Sequence, residues 1–89
     1  MTQVSFTENL RRHVDCPPVS VSGATAREVL DAVFADNPRL RSYILDDQGR
    51  VRRHVNVFIN GAFVADRLGL SDPVGPRDEV FVFQALSGG

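Results

Sequence analysis

The sequence predicts an α+β domain, a mixed sheet of four to five strands packed on one main helix. Three observations carry this reading. The segments 3–7, 19–22, 55–60 and 79–84 change side-chain character every second residue, the period of a strand. The segment 25–37 instead repeats its apolar residues at helical spacing. Between these runs stand Gly, Pro, Asn and Asp, the residues that turn a chain.

In chain order, Val4 and Phe6 lie on one face of a first strand, with Ser5 and Thr7 on the other. Glu8-Asn9 is turn-like, and Cys16-Pro17-Pro18 interrupts any ladder because adjacent prolines supply no backbone donors. Val19–Ser22 alternates again, so the first two strands are expected to form an antiparallel hairpin. Thr25-Ala26-Arg27-Glu28 fits a capping box, with the Thr hydroxyl and the Glu carboxylate satisfying the first free backbone donors. Ala26, Val29, Leu30, Val33 and Phe34 then make one apolar stripe, which a lone helix must bury against a sheet. Pro38 ends the helix by disfavouring the α region at the residue before it. In 39–53, Tyr43-Ile44-Leu45 is read as a short strand, Asp46–Gly49 as a turn, and the surrounding arginines as a solvated face.

VNVFIN at 55–60 is a strong strand that runs into an Asn60-Gly61 turn. Phe63-Val64 forms a short return strand, and 66–78 is a loop rich in Gly, Pro and Asp. EVFVFQ at 79–84 is apolar on both faces, as expected of a strand inside a sheet. The order, strand pair, helix, further strands and a final strand beside the first, is that of a β-grasp. The expected division is a β-grasp domain at 1–85 and a C-terminal tail at 86–89, reading Leu86-Ser87-Gly88-Gly89.

At 89 residues the chain is one domain, and its 43% hydrophobic and 24% charged content are those of a folded soluble protein. A net charge of −1 does not announce a nucleic-acid partner, and no apolar run reaches the length of a membrane span. A single cysteine, Cys16, leaves no internal disulfide or thiolate cluster, and a cytoplasmic location is expected. His13, Asp15 and Cys16 lie close in sequence with His54 elsewhere, but neighbours rarely converge on one ion, so no metal site and no catalytic residue is expected. No glycine loop has the spacing that cradles phosphate.

The N-terminal VSF, the helix ATAREVLDAVF, VNVFING, Asp78-Glu79-Val80 and the terminal Gly88-Gly89 together resemble the ThiS/MoaD-type ubiquitin-like sulfur carriers, nearest to the CysO-like branch. The resemblance covers nearly the whole chain. Relatives often carry a proline shortly before the glycines, where this chain has Gln84–Ser87. The resemblance implies a carrier, not an enzyme, with no bound cofactor. An E1-like adenylyltransferase/sulfurtransferase would use ATP to adenylate the carboxylate of Gly89, and sulfur would replace AMP to leave a thiocarboxylate. Gly88, Ser87 and Leu86 would carry that group into a narrow active site. A downstream sulfur-accepting enzyme, and in one pathway a metal-dependent peptidase, are the implied further partners. The acceptor pathway stays open between cysteine, molybdopterin, thiazole and other thio-metabolites. A molybdopterin synthase small subunit is one alternative, and a modifier conjugated through Gly89 to other proteins is another.

Two further readings bear on partners. All ten basic residues are arginine, which a GC-rich coding sequence explains and which also leaves an activated C-terminus no lysine on its own surface. If Val80, Val82, Val55, Val57 and Ile59 face the helix, then Phe58, Phe81 and Phe83 face away. Unless the 39–53 segment folds over them, these rings form an apolar patch for docking partner enzymes.

Overall fold

The computed structural model describes residues 1–12, 15–53 and 55–84. Its elements are β1 (Thr2–Phe6), α1 (Glu8–Arg11), β2 (Val19–Val21), α2 (Ala26–Asp36), α3 (Pro38–Ile44), β3 (Val55–Ile59), β4 (Ala62–Phe63) and β5 (Glu79–Gln84). The strands form one mixed sheet in the order β2-β1-β5-β3-β4. β1 pairs antiparallel with β2 and parallel with β5, while β5 and β4 run antiparallel to β3 on either side of it. The last strand is therefore the centre of the sheet. That position explains why EVFVFQ is apolar on both faces.

The inner face of the sheet carries Val4, Phe6, Val55, Val57, Val80 and Val82, all buried. α2 lies against it through the expected stripe of Ala26, Val29, Leu30, Val33 and Phe34. Thr25 Oγ1 accepts from the Glu28 amide at 3.2 Å, closing half of the capping box. The Glu28 carboxylate reaches back to the Ala24 amide at 3.2 Å, one residue beyond the cap. The other free donors of the first turn are met by the long loop after β4. Ala26 N–H bonds Asp72 O at 3.0 Å and Arg27 N–H bonds Leu70 O at 2.9 Å. Leu70 is fully buried and holds φ at 54°, a left-handed conformation that a leucine keeps only when its surroundings fix it.

Two expectations are corrected. Tyr43-Ile44-Leu45 is not a strand: Pro38–Ile44 is the helix α3, and Leu45 keeps only one bridge, to Val51. Pro38 does end α2, but it also occupies the first turn of α3, where its missing N–H would have had no partner. Leu40 and Ile44, four residues apart, then fall on one face and reach the core. Glu8-Asn9 is the start of the one-turn helix α1 and not a simple turn.

Candidate functional site

Alternation along β3 and β5 sends one set of side chains into the core and the other to the free face of the sheet. On that face the register aligns Phe63 of β4 with Phe58 of β3, Phe58 with Phe81 of β5, and Phe81 with Ser5 of β1. Phe58 is the hub. Its ring lies 4.6 Å from that of Phe63 in an edge-on arrangement, 6.3 Å from that of Phe81 nearly parallel, and 6.4 Å from that of Phe83. Phe63 is 68% exposed and Phe83 38%, while Phe58 and Phe81 are half-buried beneath them. Among the described residues no segment covers these two outer rings, and 39–53 instead sends Leu40, Ile44 and Val51 into the core.

The outward placement of Phe58, Phe81 and Phe83 thus matches the sequence expectation, and the patch is larger by Phe63. The signal for the fourth ring was present in the sequence. Asn60 and Gly61 hold φ at 53° and 85°, the paired positive values of a two-residue hairpin turn. Such a turn sets Ile59 opposite Ala62 and so Phe58 opposite Phe63.

Polar groups rim the rings. At one end the Asn60 side-chain amide donates to Asp78 Oδ1 at 2.8 Å and accepts from the Glu79 N–H at 2.9 Å. At the other, the Arg67 guanidinium donates to Asn56 Oδ1 at 3.0 Å and to Arg52 O at 2.8 Å. Gln3 and Ser20, bonded at 3.0 Å, continue the face across β1 and β2. An apolar centre in a polar frame is the composition of a protein–protein contact.

The end of β5 is fastened before the chain leaves it. Gln84 N–H donates to Thr7 Oγ1 at 3.3 Å, and Thr7 N–H donates to Val82 O at 3.1 Å. The tail residues Leu86, Ser87, Gly88 and Gly89, together with Ala85, His13, Val14 and His54, lie outside the described residues. Cys16 is buried beside Phe6, Pro17, Val19, Val33 and Leu40. Burial pushes its thiol above the ordinary value; nearby Arg11 opposes the shift and Asp15 adds to it. Among the described residues no group of three or more His, Cys, Asp and Glu side chains could hold a metal ion. No helix among them is long and apolar enough to cross a membrane.

Residues 9–89 match the ThiS family. The chain belongs to that family. A curated relative, small archaeal modifier protein 1 of Haloferax volcanii, is 36% identical over 72 residues, which cover 80% of this chain and 78% of the relative. The crystal structure of that relative superposes with a TM-score of 0.80 at 30% identity, covering 99% of this chain and 98% of its own. A chain of the Amycolatopsis orientalis BexX/CysO complex superposes with a TM-score of 0.84 at 27% identity, each chain covered completely. The fold is therefore the ubiquitin-like β-grasp, and the ThiS-family relatives are small carrier and modifier proteins.

Proposed function

We propose that this ThiS-family chain is a sulfur carrier. Its Gly89 carboxylate is adenylated with ATP by an E1-like enzyme and then converted to a thiocarboxylate. That group donates sulfur to the synthesis of cysteine or another sulfur metabolite. A carboxylate is a poor electrophile, adenylation gives it a good leaving group, and the sulfur that replaces AMP is the transferred atom. The chain itself supplies no acid or base to these steps.

The observation that carries the reading is the uncovered row of phenylalanines on the free sheet face, built partly on the strand that leads into Ser87-Gly88-Gly89. It offers a partner enzyme an anchoring surface on the strand that leads toward the reactive end. The likeness to a chain of the BexX/CysO complex supports a carrier that works with a second protein. The 36% identity to small archaeal modifier protein 1 favours a second reading, in which Gly89 is joined to amines of other proteins.

One experiment separates the two. The chain is incubated with ATP, sulfide and each E1-like enzyme of its own genome, and the products are weighed by mass spectrometry. A carrier gains the mass difference between sulfur and oxygen at Gly89, and Cys16→Ser does so equally well. A modifier appears as amide-linked conjugates of other proteins. If every activating enzyme leaves the mass unchanged, the carrier reading is wrong.

A further inference from the structure

An activated acyl group is consumed by whatever amine or thiol reaches it first. Proximity makes that competition acute, because a nucleophile on the same chain acts at a high effective concentration. The five residues after Gln84 span at most about 17 Å, so the surface within that distance of the strand end is the surface at risk. α1 stands inside it. The Thr7 hydroxyl holds the Gln84 amide, and the Arg11 N–H bonds Thr7 O at 3.1 Å, which sets Arg11 one helical turn from the tail root. Arg12 follows, exposed, with a 3.9 Å contact to Glu8.

Both positions carry guanidinium groups, which stay protonated and do not attack carbonyls, where lysine would carry an amine. No lysine occurs anywhere in the 89 residues. The single thiol, Cys16, is 3% exposed. A free α-amine at Met1 would not serve either. β1 runs parallel to β5 with Gln3 beside Glu79, and Met1 lies by Ser22 and Pro76 at the far end of the sheet. That is about 23 Å of strand from Gln84, at roughly 3.3 Å per residue.

We infer that the chain cannot spend its activated terminus on itself. Among the described residues, the surface within reach of the tail carries guanidinium groups and no amine or accessible thiol that would cyclise the chain. The inference rests on Gly89 being the activated group, as proposed above. It adds that the activated carrier is spent only on water or on another molecule's nucleophile, never on a lactam with its own chain.

The test needs no activating enzyme, so its failure is distinct from failure of the carrier reading. The full chain is prepared by intein cleavage as a C-terminal thioester of mercaptoethanesulfonate, alongside Arg11→Lys and Arg12→Lys variants. In the variants the lysine nitrogen attacks the thioester carbonyl. A C–N bond forms, the C–S bond breaks, the thiol leaves, and the lost proton goes to buffer. Mass spectrometry should show a lysine variant lighter than its free acid by one water, with the new amide mapped to residue 11 or 12. The wild-type thioester should give only the hydrolysed acid, and added free cysteine should capture it fully, showing that it is competent. Wild-type cyclisation would overturn the inference. So would the absence of any cyclised product from both lysine variants, since missing lysine would then not be what protects the terminus.

Discussion

Asp66 fixes the loop that caps α2. Its carboxylate accepts from the N–H groups of Leu68, Gly69 and Ser71 and from the Ser71 hydroxyl. These donors, the Gly69 amide foremost, bring its pKa from the ordinary 3.8 to about 2. Asp72, bonded to the Ala65 and Asp66 amides, Asp78, bonded to the Gly75 amide, and Asp46 are lowered by the same cause. The unfolded chain takes up these protons at higher pH than the folded one, so stability is full above the unfolded values and falls as pH drops through the folded ones. Thermal melts should therefore be flat above about pH 5 and decline between roughly pH 4 and 2. Asp66→Asn should melt lower at neutral pH and decline less steeply. An identical slope in the variant would mean that Asp66 contributes nothing to the acid limb. Gly23 is constrained differently. A Cβ there would meet Val29 N at 2.8 Å and Val29 Cγ2 at 2.9 Å, both belonging to α2. Gly23→Ala should cost about 1–3 kcal/mol in urea unfolding, because neither the helix nor the loop before it can yield cheaply.

At the scale of elements, the phenylalanine row makes different demands of its members. Among the described residues Phe83 meets one ring and is 38% exposed, whereas Phe58 meets three and is half-buried. Phe83→Ala should weaken binding to the activating enzyme by about 1–3 kcal/mol with little change in melting temperature. Phe58→Ala should lose affinity and stability together. Calorimetric titration beside a melting curve checks both, and full affinity in Phe83→Ala would remove this face from the interface. The inward and outward faces of β3 and β5 were legible because period-two alternation is strictly local. So was α2, whose cap and stripe agree. The helix α3 was not, since Tyr43-Ile44-Leu45 has strand-like residues and only Leu40 and Ile44 show helical spacing. What decides it is burial of that pair against the core, a tertiary fact. The bonds from Asp72 O and Leu70 O to the start of α2 join residues more than forty positions apart, and no local pattern announces them. Phe63 lay within reach of sequence reasoning and needed only the register of the Asn60-Gly61 turn.

For the whole molecule, the parallel pairing of β1 with β5 is the decisive contact. β2-β1 and β3-β4 are separate pairs until β5 enters between them, and Gln3 meets Glu79 across most of the chain. Ending the chain before Glu79 removes the buried Val80 and Val82 along with the central ladder, so that product should not fold. Removing Gly88 and Gly89 leaves untouched every described hydrogen bond and core residue, the last of which lie at Gln84 and Val82. Such a chain should keep its melting temperature to within a few degrees. It should also still present the phenylalanine face while lacking the group to be activated. It is then expected to compete with the full chain for the activating enzyme, slowing ATP-dependent modification of Gly89 as its concentration rises. The same truncated chain carrying Phe83→Ala should compete about ten-fold or more less well, the equivalent of roughly 1.4 kcal/mol or more in binding. The competition assay therefore divides recognition between the sheet and the tail. If the folded, truncated chain fails to compete at any concentration, recognition resides in the last residues and the exposed rings are not the docking face.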